Sequence, residues 1–534
     1  MLVFAIRNLR QNRRMLSFFL SFLVLYSLII LYLRETCHRD PSSIFWRPEQ
    51  ARLLSYSLFR KAQARNFADQ AEKHEPTKWD NTTAPQLCIG IASVNRHGVS
   101  YLKETLGSLL KGLDELERRQ IYIVVFLAHK NQSKHDASHA VWLRNMVDNL
   151  PVYRGNHELL ELIEKLESDR SYTAHARKQK IGYSVLLTEC AKVNPTYTMT
   201  LEDDVIALDG WFHRTLSAIR TAVRKTHEMG RDNFLYLRIF YDGRLLGWNS
   251  EEWPYYLGFS SLLVFVEVFF IFALRWRFPL IRQFTSLAFT IILCGVCTPM
   301  MIGLFFAAGR SCMLPRRPGV NLMQKYGCCA QGLVFPQQRV VETLLPLYRD
   351  TTNAHAAVDT FLEDYANVKN ELRWAVTPVL IQHVGGKSSH DTGDQLQGGF
   401  AKDMPFDYEF ERNDPVQLAL EHHAWIDELK SNLRTAELKR EANPPVSWAC
   451  DRCDPKPPVK SRDLQRGCGG SSLFRYSADF YLNYMWLRPT GSALTFSAHI
   501  QRAAHGSSLR SAARYVSPDL APVMLLAADA FAPL

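Results

Sequence analysis

Two apolar runs interrupt this chain near its middle, and any fold it adopts must accommodate them. Tyr255 to Leu274 (YYLGFSSLLVFVEVFFIFAL) and Phe284 to Ala308 (FTSLAFTIILCGVCTPMMIGLFFAA) are joined only by RWRFPLIRQ. A bilayer core of roughly 30 Å needs about 20 apolar residues at ~1.5 Å each, so either run is long enough to span it. Two such helices in sequence are unusual inside a water-soluble α/β core, and a membrane hairpin is the expectation. Arg275, Arg277 and Arg282 give the connector, 275–283, the basic character of a cytosolic loop, although Arg310, Arg316 and Arg317 beyond the second run oppose that bias. Glu267 lies inside the first run, where a carboxylate requires a partner or a proton.

A third run, Met15 to Leu33, follows Arg7, Arg10, Arg13 and Arg14. The positive-inside rule then keeps residues 1–14 in the cytosol and makes 15–33 an uncleaved signal anchor. A cleaved signal peptide is the rival reading, but the run exceeds a usual apolar h-region, and LRETCHRD after it has no small-residue cleavage site. Because a hairpin returns the chain to the side it left, residues 85–254 and 309–440 can build one lumenal domain. Residues 34–84 then form a stem or entry helix, 255–308 the hairpin, and 441–534 a poorly ordered Pro-, Ser-, Ala- and Arg-rich tail. The sequons at Asn81 and Asn131 agree with that topology. Eleven cysteines are too few for a disulfide-dense scaffold, although a lumenal chain can pair some of them. The net charge of +10 is scattered and partly flanks the apolar runs, which points to membrane topology and away from a nucleic-acid partner.

Outside the apolar runs, strand and helix patterns alternate. LCIGIAS (87–93), IYIVVFLA (121–128), Tyr197 to Leu201 and FLYLRIF (234–240) predict strands, and helical spacing covers 101–116, 137–150, 177–193 and 211–229. Beyond the second run, GCCAQGLVFP (327–336) and VTPVLIQHVGGKSS (376–389) predict strands around a helix at 358–370. This order implies an α/β fold with an open, mainly parallel sheet covered on both faces.

The strand at Tyr197 runs into Glu202, Asp203 and Asp204. Three adjacent carboxylates repel one another, but at the carboxyl end of a strand in an open α/β sheet they lie where ligands bind. A divalent cation such as Mn²⁺ or Mg²⁺, held together with substrate phosphates, makes such a cluster favourable. The alternatives are a solvated acidic turn, or Asp203 and Asp204 capping the next helix. His383 ends a later predicted strand and is a candidate further ligand, ahead of a turn with Gly385, Gly386, Ser388 and Ser389 whose N–H groups suit phosphates.

The anchor, TLEDDV, an apolar hairpin inserted in the catalytic domain, and QHVG followed by Ser-Ser together resemble the post-GPI-attachment GalNAc-transferases of the Golgi, over roughly residues 1–400. The resemblance implies a GT-A-like open mixed sheet and a lumenal catalytic domain on the Golgi membrane. It also implies transfer of N-acetylgalactosamine from UDP-GalNAc to the first mannose of protein-linked GPI anchors. On it, Asp204 and Asp203 with His383 would hold the metal, most naturally Mn²⁺, while Glu202, Ser93, Arg96 and Gly385 would join the nucleotide-sugar site. The QHVG segment also resembles the N-glycan-branching GlcNAc-transferases, which gives a second reading; a noncatalytic membrane scaffold is a third. Inverting an α-linked UDP-sugar requires a carboxylate base. Asp359, Glu363 and Asp364 on one predicted helix are the candidates, with Glu251 and Glu252 as weaker ones. Cys450, Cys453 and Cys468 form at most part of a zinc site, since a fourth ligand is missing. Cys328 and Cys329 are expected to be buried or disulfide-paired.

Overall fold

The computed structural model describes residues 2–386 and 405–442, apart from Arg52, His97, Asn156, Arg170, Gln324, Tyr326, Cys328 and 351–355. The expectations for Ser388, Ser389, Cys328, the C-terminal cysteines and the tail beyond 442 lie outside the described residues. The chain divides into two compact units, 1–428 and 429–534; of the second, the described part is the end of the helix Pro415–Ala442.

Among the described residues, nine strands make two sheets. They are β1 (Leu87–Ser93), β2 (Ile121–Leu127), β3 (Tyr197–Glu202), β4 (Val205–Ala207), β5 (Tyr236–Arg238), β6 (Gly319–Leu322), β7 (Leu333–Pro336), β8 (Arg373–Thr377) and β9 (Ile381–His383). Seven of them form one mixed sheet in the order β2-β1-β3-β7-β5-β8-β6, and β4 pairs with β9. The pairs β1/β2, β1/β3 and β5/β8 are parallel, whereas β3/β7, β5/β7 and β6/β8 are antiparallel. Helix–strand alternation thus reports only half of the ladders. The four-residue β6 and β7 carry too short a pattern to show their direction. β5, which precedes the central apolar helices, pairs with β7 and β8, which follow them, so one sheet is built from both parts of the chain.

β1 is apolar on both faces because both are covered. Leu87, Ile89 and Ile91 join a core with Tyr56, Leu102, Leu106 and Leu109, while Cys88 joins the opposite one with Ile181, Leu186 and Cys190. The helices Tyr56–Ala71 and Leu102–Leu110 therefore cover one face and Tyr172–Lys192 the other. A Cys88–Cys190 disulfide fastens the latter helix to β1.

Three helices among the described residues are long and apolar enough to cross a membrane, with mean hydropathies of 2.4, 2.4 and 2.2 over Arg13–Thr36, Gly243–Arg277 and Leu287–Ala307. Their sides are little covered by protein, as expected of surfaces that face lipid. The first packs on the third through Phe18 and Phe289, with ring centroids 4.9 Å apart, and through Leu33, Leu304 and Ala308. A Cys37–Cys312 disulfide joins their ends. The second meets the third where Thr298 Oγ1 donates to Glu267 Oε2 at 2.8 Å, which gives this carboxylate in an apolar run a partner.

Candidate functional site

The acidic triplet forms the bend between β3 and β4. Strand β4 runs antiparallel to β9, and pairing of Val205 with His383 sets the imidazole beside the bend. His383 Nε2 lies 3.4 Å from Asp204 Oδ2, and its Nδ1 donates to the Pro405 carbonyl at 3.1 Å. The loop after β1 closes the opposite side. Arg96 reaches Asp203 Oδ1 at 2.7 Å and Asp204 Oδ2 at 3.3 Å, and Ser93 Oγ donates to Asp203 Oδ2. Asp203, Asp204, His383 and Ser93 are buried, while Glu202 is half-buried and accepts from Gln331 Nε2 at 2.5 Å. Gly385 fits because it has no side chain: a Cβ there would strike the Asp204 carboxylate and lie 3.0 Å from His383 Nε2. Ser93, Arg96, Glu202, Asp203, Asp204, His383 and Gly385 thus occupy one place in the fold.

The charges in this cluster are unequal. Burial, reinforced by the Asp204 charge, pushes the Glu202 carboxyl up to about 8. Burial also raises Asp203, against the pull of Arg96. For Asp204 burial acts in the same direction, but His383 and Arg96 outweigh it and hold that carboxyl below its ordinary value. Burial would lower His383, yet the neighbouring Asp204 and Glu202 raise it. Among the described residues, the carboxylate oxygen Asp204 Oδ1 is buried and accepts no hydrogen bond, and neither does the amide oxygen of Gln331. Buried polar atoms are normally paired, so an orphaned carboxylate oxygen beside two more carboxylates and an imidazole fits a divalent cation. With Nδ1 held by the Pro405 carbonyl, Nε2 is the nitrogen left facing Asp204, where it can donate a proton to the carboxylate or, once deprotonated, serve as a ligand.

The three base candidates lie on the helix Val358–Lys369 and differ sharply in surroundings. Glu363 is buried, with Oε1 accepting from the Tyr236 hydroxyl and from Arg238 at 2.9 Å, and Oε2 accepting from Arg373 at 2.6 Å. Asp364 is exposed. Asp359 is partly exposed in the first turn, and its charge reaches Glu202, whose carboxyl it helps to raise. Glu252 accepts from Tyr256 at 2.6 Å and Glu251 is exposed, both at the start of the second apolar helix.

Residues 87–382 match the family described as GPI-N-acetylgalactosamine transferase PGAP4, from the first residue of β1 to the residue before His383. The chain belongs to this family. It is also similar to curated N-acetylglucosaminyltransferases. One is the alpha-1,6-mannosyl-glycoprotein 4-beta-N-acetylglucosaminyltransferase of Gallus gallus, 29% identical over 192 residues, which are 34% of this chain and 39% of that one. Another is the alpha-1,3-mannosyl-glycoprotein 4-beta-N-acetylglucosaminyltransferase C of Macaca fascicularis, 29% identical over 34% of this chain and 38% of that one. The chain therefore spans about two fifths of the length of these relatives.

Several supporting residues give no sign in the sequence. The Ala137 N–H donates to His135 Nδ1 at 3.1 Å, so the ring proton sits on Nε2 and points at Ser93 Oγ, 3.0 Å away. Burial pushes His135 down to about 4, which keeps it neutral and lets a chain His135–Ser93–Asp203 orient the acidic turn. Thr105 Oγ1 spans the bend, lying 2.6 Å from the Asp203 carbonyl and 2.9 Å from that of Val205. The segment carrying Pro405 is fixed by Gln382, which accepts from the Asp407 N–H at 3.1 Å and donates to its carbonyl at 2.6 Å.

Burial pushes the Asp407 carboxyl up to about 7. An unfolded aspartate titrates near ~3.9, so the fold favours the protonated acid. The resulting stabilisation is complete below about pH 4 and is lost as pH rises through about 7. Melting curves of wild type and Asp407→Asn should therefore differ in slope over that window, with the variant the flatter. Parallel curves would refute this assignment.

Proposed function

We propose that the chain is an inverting, metal-dependent glycosyltransferase that moves N-acetylgalactosamine from UDP-GalNAc to the first mannose of protein-linked GPI anchors. The observation that carries this reading is Asp204 Oδ1, buried and unpartnered among the described residues, beside Glu202, Asp203 and His383 in a chain of this family. Asp203, Asp204 and His383 would hold the cation, and Glu202, Ser93, Arg96 and Gly385 would line the donor site. A bound divalent cation supplies charge neutralisation to the departing diphosphate. Arg96 offers the same diphosphate a fixed guanidinium, and its pairing with two carboxylates keeps it aimed at the bend. Asp359 takes the proton from the acceptor hydroxyl, since Glu363 is committed to two arginines and Asp364 faces solvent.

The acceptor follows from the membrane. In chain order the apolar helices 253–277 and 287–307 fall between strands of one sheet, so a hairpin in the bilayer would hold the site near the membrane surface, where the first sugars of a glycolipid anchor lie. A GT-A-like arrangement and a Golgi lumenal orientation belong to the same proposal. The Cys37–Cys312 and Cys88–Cys190 disulfides support an oxidising compartment, and Cys37–Cys312 requires the ends of the first and third helices to share one side.

The relatives favour a second reading, transfer of N-acetylglucosamine to a glycoprotein mannose. To separate the two, detergent-purified full chain is incubated with UDP-GalNAc or UDP-GlcNAc and with GPI-anchored or N-glycan acceptors, and products are identified by mass spectrometry. N-acetylhexosamine added to GPI anchors from UDP-GalNAc is the expected result; addition only to N-glycans overturns the proposal.

A further inference from the structure

A second cluster of ligating groups shares no residue with the acidic motif. It gathers Glu117 from the one-turn helix Glu115–Arg118, Asp209 from the turn after β4, His213 from the first turn of Trp211–Glu228, and His422 from Pro415–Ala442. His422 Nδ1 lies 2.8 Å from Asp209 Oδ1, and its Nε2 lies 3.0 Å from Glu117 Oε2. The His213 ring is 5.1 Å from that of His422 and stacks on Trp425 at 4.6 Å. One ligand atom from each of Glu117, His213 and His422 lies within 4.8 Å of the others. Residue exposure is 0% for Glu117, 4% for His422 and 9% for His213.

An imidazolium held between two carboxylates explains His422 but not its neighbours. Glu117 Oε1 and His213 Nδ1 are both buried, and both lack a hydrogen-bond partner among the described residues. Two orphaned atoms from separate elements beside one imidazole are what a shared cation would satisfy. Asp209 accepting from Nδ1 is the outer carboxylate that orients a metal-bound histidine, leaving Nε2 to Glu117. The space is also prepared. Gly210 has φ 71°, and a Cβ there would lie 2.5 Å from the His213 ring, so only glycine lets this imidazole lie over the turn.

We infer that Glu117, His213 and His422, with Asp209 behind His422, form a structural site for a zinc-class divalent cation that ties the helix Pro415–Ala442 to the turn following the acidic motif. One carboxylate and two imidazoles suit a borderline first-row cation better than Ca²⁺ or Mg²⁺, which prefer all-oxygen sets. Bonds of ~2.0–2.1 Å in a tetrahedral site set ligand atoms roughly 3.4 Å apart, so binding draws the more distant pairs together and leaves a fourth position for water.

The test uses the full detergent-purified chain carrying Asp204→Ala, which removes the contribution of the acidic motif. After treatment with chelator, zinc is added from a buffered stock, bound metal is measured by elemental analysis, and melting is followed with and without zinc. One zinc per chain and a higher melting temperature are expected. His213→Phe keeps the stacking on Trp425 and should lose both effects while melting with its parent in the zinc-free state. Glu117→Gln, which keeps a hydrogen-bonding group at that position, provides the check if His213→Phe does not fold, and should weaken zinc binding at least about tenfold. Absence of stoichiometric zinc in the parent, or equal zinc in parent and variants, overturns the site and leaves an adventitious ion only.

Discussion

Asp204→Ala is expected to lower sugar transfer at least about a hundredfold and to abolish metal-dependent UDP-sugar binding, with the chain still folded. Asp204 is the residue on which both sides of the site converge: Arg96 and His383 meet its Oδ2, and its Oδ1 is unpartnered among the described residues. Removal leaves Arg96 paired with Asp203 and His383 bonded to the Pro405 carbonyl, so the scaffold keeps its principal contacts. It also removes a like charge beside Glu202, whose raised carboxyl should then fall toward its ordinary value. Gly385→Ala reaches the same carboxylate sterically and should impair donor binding without changing any charge. Calorimetric titration with UDP and Mn²⁺, with and without chelator, reads binding, while mass spectrometry of the acceptor reads transfer. Wild-type transfer by Asp204→Ala would remove the acidic motif from the chemistry and favour a noncatalytic role for the chain.

What the sequence discloses about this fold depends on how local the controlling interaction is. β1 was legible to the residue, because LCIGIAS is apolar on both faces and bounded by polar turns. The helices Trp211–Glu228 and Val358–Lys369 were legible within a residue, since each keeps its apolar positions on one side. The long apolar helices were legible from length alone. β4 and β9 were not resolved as a pair, because three-residue strands carry almost no period and their register is set by the tertiary meeting of Val205 with His383. The antiparallel insertion of β7 between β3 and β5 was hidden for the same reason. In the site, the acidic triplet stood out as an improbable run of charge. His135, Thr105 and Gln331 act through hydrogen bonds to residues far along the chain, and no local pattern marks them. Glu267 was conspicuous as a charge in an apolar run, but its partner Thr298 looked like any other threonine.

The base assignment yields the second large effect. Asp359→Asn is expected to reduce kcat by roughly 10²–10⁴ while leaving UDP binding close to wild type, because the amide keeps the side chain's shape but cannot accept the acceptor's proton. Glu363→Gln should behave in the opposite way. Its carboxylate is enclosed by Arg238, Arg373 and Tyr236, so the substitution leaves two buried guanidinium groups short of their counter-charge, at a cost on the order of 3–5 kcal/mol. The loss should appear in melting temperature and yield, and the folded fraction should retain its kcat. Asp364→Asn, on an exposed side chain, should change neither. Single-turnover rates with UDP-GalNAc, measured beside melting curves for the three variants, separate these outcomes. A wild-type kcat in folded Asp359→Asn would exclude it as the base. A collapse of kcat in folded Glu363→Gln would instead mean that the buried ion pair opens during turnover and frees Glu363 to act.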